Sequence, residues 1–137
     1  MSALTYKTIT SLAHGLYKEK GSKFFAYAFP VETEQEIKQH LVRLKKEHYK
    51  AKHICYAYLL KPDKSVYRVK DDGEPPGTAG FPILGQIRSA ELTNIVIFVV
   101  RYFGGSLLGI RGLIDAYRTA AADAIVKATL VFKNSQS

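Results

Sequence analysis

Three carboxylates lie close together in DDGEPPGTAG, the acidic segment of residues 71–80. Asp71, Asp72 and Glu74 could bind a hard cation through oxygen ligands or act as general acid and base. The same residue types also form tight turns, in which Asp side chains bond to nearby amides, and Thr78 could cap a following helix. Because no calcium-loop spacing or partner histidine accompanies the carboxylates, we interpret the segment as structural and predict no metal site.

A second stretch, GGSLLGIRG, is the glycine segment of residues 104–112. Backbone amides between a strand and a helix can hold a phosphate, and the flanking Arg101 and Arg111 could supply positive charge. The spacing fits neither a dinucleotide fingerprint nor a P-loop, so nucleotide hydrolysis is not indicated, and a sharp turn is the alternative to anion binding. The two segments provide these candidate ligand-binding residues: Asp71, Asp72, Glu74, Thr78, Arg101, Gly104, Gly105, Gly109, Arg111 and Gly112.

One histidine–cysteine pair has a spacing that could support nucleophilic catalysis. His53 and Cys55 are two residues apart on an expected strand, so their side chains point to the same face. No third residue to orient the histidine is evident, and a lone cysteine in a strand is usually part of an inert core. We therefore expect a protein without catalytic residues or cofactors.

Positive charge is concentrated in the first half of the chain. The formal net charge is +8, and residues 1–70 contain 14 basic and 6 acidic side chains, whereas residues 71–137 contain 6 of each. Such clustering favours an anionic partner such as RNA, although a solvated helix face would look the same. Tyr49, Tyr56 and Tyr58 lie nearby and could stack on single-stranded nucleic acid or belong to the core. The candidate nucleic-acid-binding residues are Lys38, Arg43, Lys45, Lys46, Lys50 and Lys52.

Hydrophobic periodicity predicts the elements that must position these side chains. Thr33 to His48 is the clearest helix, with a capping box of Thr33 and Glu36 at its start. The continuously apolar stretch Asn94 to Phe103 predicts a central strand that is buried on both faces. The other expected elements are a hairpin of Tyr6–Tyr17 with Lys23–Val31, the strands His53–Leu60, Ser65–Lys70 and Leu130–Phe132, and the helices Phe81–Ser89 and Leu113–Lys127.

The 137 residues are 47% hydrophobic and 23% charged, which is typical of one globular domain spanning residues 1–137. The elements predict an α+β protein, a two-layer sandwich of a mixed β-sheet with two main helices on one face. The longest apolar run, Ile95 to Val100, is too short to cross a membrane. The absence of a secretory signal and the single cysteine predict a cytoplasmic protein.

The two segments together resemble the Impact/YigZ family, whose pattern reads roughly DDGEP-S-GTAG-x-PIL and then V-V-x-RYFGG-x-K-LG-x-GGL-x-x-AY. Family landmarks also match upstream, at KGSKF in residues 20–24 and around His53 and Cys55, so the resemblance covers nearly the whole chain. The matching residues are Asp71, Asp72, Gly73, Glu74, Pro75, Gly77, Thr78, Ala79, Gly80, Pro82, Ile83 and Leu84, followed by Arg101, Tyr102, Phe103, Gly104, Gly105, Leu108, Gly109, Gly112, Leu113, Ala116 and Tyr117.

The resemblance implies the fold of the second domain of ribosomal protein S-five and of translocase-type elongation factors. It also implies a binding role: eukaryotic Impact proteins restrain a stress-activated translation kinase by competing for its activator, and bacterial relatives have been proposed to bind nucleic acid or act around translation. The family usually has a ferredoxin-like C-terminal domain as well, which we expect to be absent from this chain. Pro76 replaces a serine and Leu107 a lysine, which removes groups that a ligand could use, whereas Arg111 replaces a glycine and adds a charge.

These observations favour a non-catalytic, cytoplasmic binding domain, linked to translation or its regulation through RNA, the ribosome or a translation-related protein. The alternative is a nucleotide- or phosphate-binding enzyme that uses the acidic and glycine segments. The two hypotheses differ in geometry. An enzyme requires the segments to line one pocket with Arg101, whereas a scaffold would bury them against each other.

Overall fold

The computed structural model describes residues 5–135, so the predicted single domain of residues 1–137 extends beyond this range at both ends. No helix within residues 5–135 is long and apolar enough to cross a bilayer. The strands and helices, in chain order, are β1 (Thr5–Ile9), β2 (Ala13–Glu19), β3 (Ser22–Pro30), α1 (Glu34–Glu47), β4 (His53–Leu60), β5 (Val66–Lys70), α2 (Gly80–Ser89), β6 (Ile95–Tyr102), α3 (Gly109–Lys127) and β7 (Leu130–Asn134).

The strand β6 is the centre of a five-stranded sheet with the order β2-β3-β6-β4-β5. As predicted, it is buried on both faces, and residues Ile95 to Val100 have no exposed surface. A mixed sheet was expected, but all four ladders are antiparallel, and a parallel bridge between Lys7 and Leu92 lies outside this sheet. The strands β3 and β4, which α1 connects, run in the same direction but are separated by β6, so they form no parallel ladder.

The α+β class is confirmed, but the helices cover both faces of the sheet instead of one. Ile37 and Leu44 of α1 pack on one face, whereas α2 and α3 pack on the other. The side chains of β6 alternate between the two cores: Ile97 and Val99 lie under α2 and α3, and Phe98 lies under α1. Hydrophobic periodicity identifies the buried face of each helix, but it does not specify which side of the sheet that face covers.

The first predicted strand, Tyr6–Tyr17, is in fact two strands. The strand β1 pairs antiparallel with β7 in a separate two-stranded sheet, whereas β2 pairs with β3. Thr10 N continues the first pairing with a 3.0 Å hydrogen bond to Thr129 O, so the chain must break before it joins the main sheet. The β2–β3 hairpin is confirmed, and Lys20 and Gly21 both have positive φ, as a two-residue type I′ turn requires.

The start of α1 agrees with its prediction, and the start of α3 does not. Glu36 N donates to Thr33 Oγ1 over 3.2 Å and Thr33 N donates to Glu36 Oε1 over 3.2 Å, so the capping box is confirmed. The helix α3 begins at Gly109 instead of Leu113. Because Gly109 has a φ of 74°, it turns the chain into the helix, and the end of the glycine segment is therefore helical.

The strand β2 and the helix α3 approach so closely that Gly15 has no room for a side chain. A Cβ atom at this position would lie 2.5 Å from Ala120 O and 2.5 Å from Ala124 N, which belong to the backbone of α3. Both alanines are fully buried and small enough to allow this approach. The contact holds α3, and with it Tyr117, at a fixed distance from the sheet.

We expect Gly15→Ala to destabilise the protein by about 1–3 kcal/mol, because the added methyl group meets backbone atoms that cannot rotate away. The measurement is the free energy of unfolding in urea. Gly85→Ala is the matched control: no atom lies within 4 Å of the new Cβ, and alanine favours the helix by up to about 1 kcal/mol. Equal effects of the two substitutions would contradict this packing.

Candidate functional site

A buried cluster of charged and polar side chains surrounds Glu74. Arg101 Nη1 donates to both carboxylate oxygens, over 2.9 Å to Oε1 and 2.8 Å to Oε2, and the Tyr117 hydroxyl donates to Oε2. His53 Nε2 lies 3.4 Å from Oε1. We call these four residues the Glu74 cluster; they come from the acidic segment, β6, α3 and β4, and so join four parts of the fold.

The burial of Arg101 explains why the acidic segment lies where it does. Arg101 is 5% exposed and is the charged residue of an otherwise apolar central strand, so its guanidinium needs a buried counter-charge. Glu74 provides that charge and is itself 6% exposed. The guanidinium also lies 5.6 Å from the ring centroids of both Phe24 and Phe103. The ion pair is therefore enclosed by aromatic rings on the protein side and at the surface.

The carboxylate of Asp71 accepts hydrogen bonds from backbone amides of the acidic segment itself. Its Oδ1 accepts hydrogen bonds from the amides of Ala79, at 3.2 Å, and Gly80, at 2.8 Å, and its Oδ2 accepts from Gly77, at 3.0 Å. Asp71 therefore satisfies the first amides of α2. The expectation that Thr78 caps this helix was wrong. The N-cap residue of α2 is Ala79, whose side chain cannot accept a hydrogen bond.

The remaining polar groups of the acidic segment are also paired. Asp72 Oδ2 accepts from Ile54 N over 2.7 Å, and His53 Nδ1 donates to the Asp72 carbonyl over 2.6 Å. The buried Thr78 hydroxyl donates to the Pro75 carbonyl over 2.6 Å. Among residues 5–135, no group of three or more His, Cys, Asp or Glu side chains is arranged to hold a metal ion. The segment is thus pinned to β4 and α2 by its own carboxylates.

The only cysteine, Cys55, lies in the core beside the Glu74 cluster. Its Sγ is 3.0 Å from the Asp71 carbonyl and 3.4 Å from the Tyr117 hydroxyl. Burial raises the pKa of the Cys55 thiol far above its ordinary value, and burial also raises the pKa of Tyr117. A thiol must lose its proton to act as a nucleophile, so the environment of Cys55 is that of a core residue.

The glycine segment begins as a close contact between two loops. A Cβ on Gly104 would lie 2.0 Å from Gly21 C, and Gly104 N donates to Ser22 Oγ over 3.1 Å. This contact holds the segment against the β2–β3 turn. Gly105 and Gly109 have φ values of 91° and 74°, and no atom lies within 4 Å of the position that a Cβ would take, so they serve the turn and do not pack.

Both predicted segments line one apolar cavity of about 360 Å³, together with Arg101. This is the arrangement that the enzyme hypothesis requires, but Glu74 neutralises Arg101, and Arg111 is not part of the lining. Leu107 is 84% exposed and Ile110 is 63% exposed at the rim. The cavity therefore offers a mainly apolar surface. Its lining residues are Lys52, His53, Glu74, Pro75, Arg101, Phe103, Leu107, Leu108, Gly109, Ile110 and Leu113.

The six basic residues predicted to bind nucleic acid are all exposed, and we call them the basic patch: Lys38, Arg43, Lys45, Lys46, Lys50 and Lys52. The nearby tyrosines differ from one another. Tyr49 is 76% exposed and Tyr56 is half-buried, whereas Tyr58 is a core residue. Burial and a hydrogen bond to Glu34 raise the pKa of Tyr58 to about 12. Tyr58 is therefore not available for stacking on a ligand.

An aromatic cluster that the sequence analysis did not identify surrounds His48. The His48 ring is hydrogen-bonded to the Tyr27 hydroxyl through Nε2 and to the Tyr102 hydroxyl through Nδ1, each over 2.7 Å. The Phe25 ring stacks on it at 6.3 Å and 24°. The alternating aromatics Phe25, Tyr27 and Phe29 on β3 were the available signal, because residues two apart on a strand share a face.

We expect Glu74→Gln to destabilise the protein by about 3–5 kcal/mol, because it leaves the Arg101 guanidinium buried without a counter-charge. Urea unfolding measures the loss. Asp115→Asn is the control, since it breaks the exposed Asp115–Arg118 ion pair and should cost less than about 1 kcal/mol. A loss as small as that of the control would show that the buried pair does not hold the site together.

The His48 environment predicts a pH dependence of stability. Burial lowers the pKa of His48 below its ordinary value of 6.5, so the folded protein binds this proton less well than the unfolded chain. The free energy of unfolding should therefore fall as the pH drops below about 6.5. We expect a smaller fall in His48→Gln, which can still donate and accept. Urea unfolding at pH 7.5 and 5.5 tests this, and equal falls in both proteins would refute it.

Comparison with known proteins agrees with the resemblance. A model of the Impact N-terminal domain matches residues 20–125. The chain is 38% identical over 112 residues to IMPACT family member YvyE of Bacillus subtilis, which covers 82% of this chain and 51% of YvyE. The chain spans about half the length of the bacterial relatives that it matches.

Two solved structures share the fold. A crystal structure described as that of a hypothetical protein has a TM-score of 0.91 and 30% identity, covering 95% of this chain and 64% of the other. The two-domain translational regulator Yih1 has a TM-score of 0.50 and 24% identity, covering 89% of this chain and 47% of Yih1. The family model matches most of the chain, including the acidic segment and Arg101, and the chain therefore belongs to the IMPACT family.

Proposed function

We propose that this chain is a non-catalytic, cytoplasmic RNA-binding domain that acts in translation or its regulation. The observation that carries the proposal is the basic patch of six exposed Lys and Arg side chains. Arg43, Lys45 and Lys46 lie in the second half of α1, Lys50 and Lys52 lie in the loop that follows, and Lys38 lies nearer the start of the helix. Clustered positive charge of this kind is the electrostatic footprint of a nucleic-acid-binding protein. The alternative partner for this surface is a protein that acts in translation.

The fold brings further positive charge to the same end of the sheet. His53, the first residue of β4, pairs with Arg101, and Arg101 pairs with Phe24 on β3. The α1–β4 loop therefore lies at the same end of the sheet as the β2–β3 turn, where Lys20 of the turn and Lys23 at the start of β3 are exposed. Lysines from the end of α1, from a loop and from a turn thus surround one end of the molecule and could follow a phosphate backbone.

In the part of the chain that the structure describes, no carboxylate neutralises the basic patch, although Arg43 is hydrogen-bonded to His40 and the Lys50 ammonium lies over the Tyr49 ring. The salt bridges found within residues 5–135 join Arg101 to Glu74, Arg118 to Asp115 and Lys127 to Asp123, and none of them involves the basic patch. Phosphate binding releases the counterions that such unpaired lysines attract. Affinity for RNA should therefore depend steeply on salt.

The relatives support the translation part of the proposal. Yih1, which shares the fold, is described as a translational regulator, and mammalian and fungal proteins named IMPACT are 32–33% identical to this chain over the matched region. The enzyme alternative draws on the apolar cavity that both segments line. The neutralised Arg101 and the mainly apolar rim weigh against a phosphate ligand in that cavity.

The test is the affinity of the purified domain for labelled single-stranded RNA across a salt series. We expect Lys45, Lys46, Lys50 and Lys52, replaced together by Glu, to lower the affinity at least about tenfold and to reduce the salt slope by up to about 3, at about 0.7 per lost phosphate contact. Each of these lysines is exposed, so the variant should fold.

The control replaces four exposed basic residues near the other end of the sheet by Glu: Lys61, Lys64, Arg68 and Lys133. Both variants lower the formal net charge from +8 to 0, so any difference between them comes from the location of the charges. If both variants lose the same affinity for RNA, binding depends only on net charge and the basic patch is not the binding site. No binding of the unaltered domain at low salt would rule out the proposal, and binding tests with ribosomes and translation-related proteins would follow.

A further inference from the structure

A second cavity, separate from the Glu74 cluster, lies on the face of the sheet that α1 covers in part. We call it the aromatic cleft; it has a volume of about 450 Å³. Its walls come from the β2–β3 turn, β3, the end of α1 and the end of β6. The lining residues are Gly21, Lys23, Phe25, His48, Tyr102 and Phe103.

The rings of the cleft are held in fixed orientations. His48 is hydrogen-bonded on both sides by tyrosine hydroxyls, one of which belongs to Tyr102. The Phe25 ring stacks on His48 and meets the Tyr102 ring nearly at right angles, with 5.8 Å between the ring centroids. Because these rings are already fixed, a ligand that stacks on them restricts little further side-chain motion. The cleft is therefore pre-organised for a flat group.

Phe103 forms the exposed wall of the cleft. It is 47% exposed although it follows the most buried strand of the fold, so a large apolar ring faces water without serving the core. Phe103 also lines the apolar cavity on its other side. The Arg101 guanidinium, 5.6 Å from its ring centroid, supports the ring from beneath. The Phe103 ring is therefore exposed to solvent on one side and supported by the Arg101 guanidinium on the other.

The charges around the cleft match a phosphodiester chain. Lys23 lines the aromatic cleft, and Lys52 lines the apolar cavity, so a lysine stands on either side of Phe103. The lining of the cleft contains no acidic side chain. Lys50 lies two residues beyond His48 and is exposed. A flat apolar surface between two cations suits a nucleobase with its flanking phosphates, whereas an acidic peptide would leave the rings unused.

We propose that the aromatic cleft is a base-stacking site for single-stranded nucleic acid, in which an unpaired base packs on Phe103 and its neighbouring rings while flanking phosphates contact Lys23 and Lys52. This inference rests on the proposed RNA-binding function and assigns it a site. Because a base inside a duplex cannot enter the cleft, the domain discriminates in favour of unpaired strands.

The experiment uses single-stranded RNA that carries one 2-aminopurine, a base whose fluorescence is quenched when it stacks. We expect binding to quench the fluorescence and Phe103→Ala to abolish the quenching and weaken the affinity about 5- to 150-fold, the range for loss of one stacked base. Phe103→Trp should retain both. Phe132→Ala is the matched control, because Phe132 is 72% exposed on β7 and should leave both readouts unchanged.

The outcomes separate this inference from the function on which it rests. If the basic-patch variant loses affinity while Phe103→Ala binds and quenches like the unaltered domain, the cleft is not the site and RNA binding stands. If the unaltered domain does not bind RNA at low salt, both proposals fail. Duplex RNA of the same sequence should bind more weakly, and equal affinity for duplex and single strand would overturn the stacking site.

Discussion

The buried ion pair between Glu74 and Arg101 is the interaction on which the rest of this end of the molecule depends. A single guanidinium at the end of an apolar strand cannot remain buried alone, and its carboxylate partner draws the whole acidic segment onto the sheet. Through Tyr117 and His53 the same carboxylate reaches α3 and β4. A replacement of such a pair by apolar residues can be neutral for stability. We therefore infer that the main role of the ion pair is to position the acidic segment, β6, α3 and β4, and that its net contribution to stability is secondary.

This constraint separates two kinds of charge at one end of the sheet. The carboxylates of the acidic segment point inward, to backbone amides and to Arg101, whereas the lysines of α1 and the adjoining loops face solvent. In a segment that reads as an acidic ligand site, two carboxylates thus bind backbone amides and the third is paired with Arg101. What the surface presents instead is a rim of lysines beside the exposed Phe103 ring and the exposed aliphatic side chains of the glycine segment, such as Leu107.

Local signals in the sequence predicted the parts of this fold that depend on neighbours in the chain. The capping box of α1, the hairpin turn at Lys20 and the buried β6 all follow from a few adjacent residues. The missed features depend on residues far apart in sequence: β1 pairs with β7, and α1 lies on the opposite face from α2 and α3. Arg101 was the usable long-range signal, because an arginine within a buried strand requires a partner, and the DDGEP stretch supplied one.

The pairing of β1 with β7 has a mechanical consequence. Thr5 stands opposite Asn134, so the two ends of the described chain leave the molecule side by side, about one strand spacing apart. This small sheet adjoins the start of β6, whereas Arg101, the apolar cavity and the aromatic cleft lie at the other end of that strand. Tension applied through flanking segments would open the β1–β7 hydrogen bonds one after another, as a zipper opens. The five-stranded sheet would bear load only after this ladder had parted.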